Sequence, residues 1–244
     1  MAQIGQIVDG KYKVLQLIGK GGMSRVYLGE DIRLKKKWAI KEIPKITGGK
    51  KNALFINAAV KEVQIIKSLD HPYIVRIIDV AEDIRSVYII EDLVQGRSLR
   101  KAVQDEEILS ESQLIKWALM ICEVLIYLHE RPVPVIYRDI KPENVILTPE
   151  GHIRLVDFGT ARFYRPKSTA DTTCLGTEKY AAPEQFEGHG AQTDARTDVF
   201  GLGKTMESLS DSCEKVSRDL EQLIAKASAP DPEDRYQTVR EMYE

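Results

Sequence analysis

At 244 residues and 27.6 kDa, with 43% hydrophobic residues, the chain has enough apolar material for one large domain or two small lobes, which excludes disorder as its main state. Charged residues make up 30%, but 35 Lys and Arg against 37 Asp and Glu leave a formal net charge of -2, so no bulk attraction to nucleic acid or an anionic membrane follows. The three cysteines, Cys122, Cys174 and Cys213, stand too far apart for a disulfide framework or a paired metal site, and they point to a reducing, cytoplasmic setting.

The N-terminus, MAQIGQIVDG, lacks a basic start followed by a hydrophobic stretch, and apolar runs such as Val87–Ile90 are too short to span a bilayer. A soluble chain with no membrane contact is expected. KYKVLQLIG then alternates apolar with polar residues, a glycine-rich turn follows, and RVYLGE and KKWAIKEI read as two further strands. From about Ala53 to Leu69, Phe55, Ala59, Val63 and Ile66 recur at helical spacing, and His71-Pro72 closes the segment. Strands are expected near Val75–Val80 and Val87–Glu91. Past Gly96 the character changes: Glu111–Glu130, Val199–Leu209 and Ser217–Ala227 are apolar at helical spacing. The periodicity thus divides the chain into a β-rich lobe with one main helix, residues 1–94, and a larger, mainly helical lobe, residues 95–244, an α+β arrangement hinged near Asp92–Gly96.

Three stretches carry chemistry. In GKGGMSRVYLGE, Gly19, Gly21 and Gly22 sit between two strands, so backbone N–H groups can approach an anion without interference from Cβ. By itself this loop is as well explained as an ordinary hairpin. On the next strand WAIK places Lys41 behind Ala39 and Ile40, where an ammonium needs an anionic partner; Glu62 on the expected helix is a candidate. YRDIKPENVIL gathers Asp139, Lys141 and Asn144, and LVDFGTAR puts Asp157 at a strand end before Phe158 and Gly159.

The ordered set GKGGMSRVY, WAIK, YRDIKPEN, DFG and AAPE resembles the protein kinases, and its wording is most similar to bacterial Ser/Thr kinases of the eukaryotic type. That resemblance implies the two-lobed kinase fold and an ATP- and Mg²⁺-dependent enzyme, with Mn²⁺ as an alternative ion, acting on Ser or Thr of proteins, itself included. It implies that Gly19, Gly21 and Gly22 cover the nucleotide phosphates, that Lys41 binds the α- and β-phosphates, and that Glu62 holds Lys41. Asp157 and Asn144 would ligate the metal, and Asp139 would accept the substrate hydroxyl proton. Lys141, two positions after Asp139, and Thr177 in GTEKYAAPE resemble the Ser/Thr class. Ile18, Val26, Ala39 and Ile146 are expected around the adenine, with Asp92 and Val94 as hinge residues. Glu184 with Arg235, and Asp198, resemble structural supports of the site. Ile66, Ile77, Tyr137 and Phe158 resemble the apolar column of active kinases. Ser168, Thr169, Thr172 and Thr173 are the phosphorylation candidates, as partners for Arg138.

The sequence departs from the pattern in four places. Ser24 stands for a third glycine, and Tyr137 replaces the usual histidine before Arg138 and Asp139. The connection Ser210–Val216 is short where relatives carry a longer loop and an additional helix, which bears on substrate docking. Glu91 stands where an apolar residue or threonine guards the rear of the adenine pocket; a one-residue shift would make Ile90 the guard. The rival readings are a pseudokinase, a nucleotide-binding signalling scaffold, and a small-molecule kinase. The chain also reads as the cytoplasmic part of a longer, membrane-anchored protein.

Overall fold

The computed structural model describes residues 1–20, 24–45, 63–105, 109–164, 177–186 and 193–244. They form two compact units, Met1–Asp70 with Val75–Gln95, and His71–Ile74 with Gly96–Glu244.

The first unit is built on a six-stranded sheet of order β1-β2-β3-β4-β6-β5, all neighbours antiparallel. Its strands are β1 (Ile7–Val8), β2 (Tyr12–Lys20), β3 (Arg25–Asp31), β4 (Lys37–Pro44), β5 (Ile77–Glu82) and β6 (Ser86–Asp92). Alternation along β2 sends Tyr12 and Val14 to one face, where they meet Val8, Tyr27, Trp38, Ile40, Ala81, Tyr88 and Ile90. On the other face Ile43 and Ile89 pack with Ile77 and with Val63 of α1, helical over residues 63–67. The expected helix from Ala53 therefore lies within the described residues only in its last part. Gly29 on β3 leaves room for a neighbour: a Cβ there would stand 2.2 Å from Ile40 Cδ1. The β3–β4 turn is closed by Asp31, whose Oδ1 accepts from the backbone N–H of Arg33 and Leu34 at 2.8 and 2.9 Å.

The second unit begins with β7 (Arg97–Ser98) and α2 (Leu99–Asp105), followed by α3 (Glu111–His129), β8 (Val135–Ile136), β9 (Val145–Leu147), β10 (Ile153–Leu155) and β11 (Arg162–Phe163). α4 (Ala195–Ser210), α5 (Arg218–Ala227) and α6 (Val239–Tyr243) complete it. Small sheets β10-β9-β7 and β11-β8 flank the helices. Each later helix starts at a residue whose side chain accepts a backbone N–H: Ser110, Asp194, Ser217 and Thr238 cap α3 to α6. The Asp194 cap explains why α4 opens four residues before the expected Val199. The periodic pattern registers only the buried part, and the first turn is polar.

Two expectations are corrected. His71–Ile74 belongs with the second unit, because Leu155 N donates to Tyr73 O at 2.7 Å, Ile74 bridges to Leu155, and the His71 ring lies 4.9 Å from that of Tyr127. The reading of apolar runs also passed over the expected helix Glu111–Glu130, here α3, which is long and apolar enough by length and composition to cross a membrane, and half of whose apolar window is buried within the structure. The second unit is mainly helical, as expected, and also carries five short strands. The short connection after α4 ties back to the start of α3, with Leu109 N donating to Ser212 O at 3.0 Å and Ser217 N to Glu111 Oε2 at 2.5 Å.

Gly96, leading into β7, adopts φ +144°, and a Cβ on it would stand 2.1 Å from the Leu147 carbonyl oxygen. Gly96→Ala is therefore expected to destabilise the protein by about 1–3 kcal/mol, read from denaturant unfolding, since both strain and overlap must be relieved.

Candidate active site

The second unit gathers Asp139, Lys141, Asn144 and Thr177 into one hydrogen-bonded cluster. Lys141 Nζ donates to Asp139 Oδ2 and to Thr177 Oγ1, both at 2.6 Å, while Thr177 Oγ1 donates to Asp139 Oδ1 at 3.1 Å. Asn144 Nδ2 donates to Asp139 Oδ2 at 2.9 Å and to its backbone oxygen at 3.0 Å. Asp139 is thus buried, ionisable and held from three sides, as a carboxylate must be to receive a proton at a defined place. Pro142 opens the 3₁₀ turn Pro142–Asn144 that brings Asn144 back over the loop.

The loop itself is fixed through its backbone. Tyr137 N and Arg138 N donate to Asp198 Oδ2 and Oδ1 at 2.8 and 2.6 Å, and His129 Nε2 lies 2.8 Å from the same carboxylate. Arg138 O accepts from Gln185 Nε2 at 3.0 Å, and Ile140 O accepts from Thr205 Oγ1 at 3.1 Å. These ties support φ +72° at Arg138. The Tyr137 ring is fully buried, meets Phe158 edge-on at 5.0 Å, and donates its hydroxyl proton to Val156 O at 2.5 Å. Burial, followed by the charge of Asp139, raises the Tyr137 phenol well above its ordinary pKa, so it stays a donor.

Asp157 adopts φ +65° and accepts from Gly159 N at 3.2 Å. Among the described residues no group of three or more His, Cys, Asp or Glu could hold a metal. A hard divalent cation would have to rely on Asp157 and Asn144, and their chemistry fits: Asn144 directs its amide nitrogen at Asp139, which leaves its carbonyl oxygen as the cation-facing atom.

The first unit supplies the other part of the expected set. Lys41 lies on β4 and is 6% exposed. Its cross-strand partners are Val26 on β3 and Ile89 on β6, and Ala39 pairs with Leu28 and Glu91. Glu91 is therefore on the Lys41 side of the sheet, whereas Ile90 packs in the opposite core. Asp92 ends β6 and accepts from Arg76 Nε at 3.0 Å. Gly19 pairs with Val26, Ile18 is exposed, Val94 is half-buried, and Ile146 on β9 in the second unit pairs with Arg154. Gly21, Gly22, Glu62, Ser168, Thr169, Thr172 and Thr173 lie outside the described residues.

The sequence pattern of the protein kinase domain matches residues 12–226. This chain belongs to that family. It is 31% identical over 98% of its length to the serine/threonine-protein kinase PrkC of Bacillus subtilis, covering 40% of that protein. It is 30% identical over 96% of its length to the serine/threonine-protein kinase PknB of Mycobacterium leprae, covering 42% of it. The chain thus spans well under half the length of these relatives.

Some supports of this kinase domain escaped the sequence. His129 and Gln185 reach the catalytic loop from α3 and from the turn Pro183–Gln185, and nothing local announces either contact. Arg162, opposite Ile136 in the β11–β8 pair, was not singled out either: burial, then the neighbouring charge of Arg138, lowers its pKa from the ordinary value. Glu184 and Arg235 do meet, Arg235 Nη1 and Nη2 donating to Glu184 Oε1 and Oε2 at 2.8 and 3.0 Å.

Proposed function

We propose that this chain is an ATP- and Mg²⁺-dependent kinase that phosphorylates serine and threonine on proteins, copies of itself included. The observation that carries the reading is the Asp139–Lys141–Thr177 cluster. In the proposed step the substrate hydroxyl gives its proton to Asp139 as its oxygen bonds to the γ-phosphorus. The bond from that phosphorus to the β–γ bridging oxygen breaks, and ADP leaves. Lys141, within hydrogen-bond reach of Asp139, offsets charge on the moving phosphoryl group. Mg²⁺, held by Asn144 and Asp157, would neutralise phosphate oxygens. Lys41 would orient the remaining phosphates.

The reading is tested by incubating the chain with labelled ATP and Mg²⁺, with and without a generic basic protein. Label is expected on Ser and Thr of the added protein and of the chain itself. Nucleotide binding with no label on either would instead support a scaffold. The cytoplasm is the matching compartment for a nucleotide-dependent enzyme with widely spaced thiols.

Control would run through residues 165–176. Arg138 is buried, and the pKa of Arg162 is lowered first by burial and then by the like charge of Arg138. A phosphate dianion would offset both. Mass spectrometry of the active enzyme is expected to find phosphate in this segment, with Thr172 or Thr173 the preferred site, and phosphatase treatment to lower activity. Full activity with an unmodified segment would refute this control.

A further inference from the structure

We infer that Arg100 and Lys179 form an anion subsite beside the catalytic cluster, where an acidic or phosphorylated side chain of the protein substrate is read. The two cations come from different elements, Arg100 from α2 and Lys179 from the turn at residues 178–180, and they meet over Ser208 of α4. Arg100 Nη2 donates to Ser208 Oγ at 3.4 Å, and Lys179 Nζ donates to the same oxygen at 3.2 Å. The Tyr180 hydroxyl lies 3.2 Å from that oxygen and itself accepts from Arg100 Nη2.

Donors outnumber acceptors in this cluster. Two hydroxyl oxygens, each with two lone pairs, face an ammonium, a guanidinium and each other's protons. Neutral oxygens also leave the repulsion between two positive charges uncompensated. The carboxylate at hand, Glu143, is engaged by Arg100 Nε at 2.9 Å. Among the described residues no carboxylate pairs with Lys179, not even Glu178 beside it in the chain, and Glu207, next to Ser208, pairs with Lys204. Tyr180 and Ser208 are buried, so they form the floor of the site, while Lys179 is exposed and open to a ligand. An anionic oxygen between Arg100 and Lys179 would supply the missing lone pairs and the missing charge together, the means by which clustered cations recognise acidic and phosphorylated motifs.

Both sides of the subsite are tied to the catalytic cluster. Tyr180 N donates to Thr177 O at 2.7 Å, and Thr177 Oγ1 bonds Asp139 and Lys141. Glu143, which Arg100 holds, belongs to the same 3₁₀ turn as Asn144, a donor to Asp139. A peptide that brings its hydroxyl to Asp139 therefore runs past Arg100 and Lys179. The assignment to substrate rests on the kinase reading; the anion subsite itself does not.

The test uses the full chain and peptides with a single acceptor serine in an alanine and glycine background, with Glu, phosphoserine or Arg placed at each flanking position in turn. Binding is read by fluorescence anisotropy of the labelled peptides, and kcat/KM for phosphate transfer is measured on the same set. At one position an anionic residue is expected to tighten binding about tenfold over alanine, the gain of one charge-assisted pair, and Arg to weaken it. A gain from Glu marks a carboxylate site, and a gain confined to phosphoserine marks a site for substrates phosphorylated beforehand; either upholds the subsite. Lys179→Gln is expected to bring the ratio of anionic to alanine peptide close to one, and Lys179→Glu to turn the preference toward Arg. A merely structural role for Lys179 would shift all peptides alike and leave the ratios in place. Equal affinity across the set, or a preference that survives Lys179→Gln, would overturn the inference. Peptides that bind with this preference yet take up no phosphate would count against the kinase reading and leave the subsite standing.

Discussion

Lys41→Met and Asp157→Asn are each expected to reduce phosphoryl transfer by about 10²–10³-fold, the usual loss when one preorganised charge-stabilising group is removed. Both changes preserve shape. Methionine has nearly the length of lysine and suits a site lined by Val26, Ala39 and Ile89. Asparagine tolerates the positive φ that Asp157 adopts, and its side-chain oxygen can still accept from Gly159 N. Labelled-phosphate assays should therefore fall while the far-UV circular dichroism spectrum is retained. Unchanged turnover in either variant would remove the basis of the kinase mechanism.

Arg235→Ala is expected to cost about 3–5 kcal/mol, the range for breaking a buried ion pair from one side. The Arg235 side chain is 0% exposed and Glu184 only 9%, so the surviving carboxylate would stay buried. The guanidinium also donates to three backbone oxygens: Nε to Ala229 at 2.7 Å, Nη2 to Pro230 at 2.8 Å and Nη1 to Arg196 at 3.1 Å. It lies 4.7 Å from the centre of the Phe200 ring as well. Calorimetry should show the melting temperature falling on the order of 10 °C. Arg235→Lys should recover only part of this, because an ammonium cannot reproduce the two-pronged contact with Glu184. A loss below about 1 kcal/mol would mark the pair as peripheral.

The catalytic half of the site was legible because its residues are close in sequence. Asp139, Lys141 and Asn144 fall within one loop, and the same backbone that spaces them in the chain brings them into hydrogen-bond contact. The sheet was legible for a related reason, since β2, β3, β4 and β6 are long enough for alternation to register. What escaped was short or distant. β7, β8 and β11 have two residues each, below any period, and α2 is a short polar helix. Its one local signal was Ser98, whose Oγ accepts from Lys101 N at 3.2 Å. The contacts of His129, Gln185 and Asp198 with the catalytic loop join residues far apart in the chain. A likeness to known kinases anticipated the Asp198 role, which no spacing rule reveals. The register that puts Glu91 beside Ala39 could be read only from strand pairing.

Asp198 grips the catalytic loop by two main-chain amides, and an amide is the same whatever side chain it carries. The loop's path is thereby insulated from its lettering. Tyr137 can occupy a place usually given to histidine without displacing Asp139, because the anchoring carboxylate never touches the ring that changed. Tolerance for change of the ring is built in at residue 137, while the anchoring rests on one aspartate on a helix some sixty residues away in the chain.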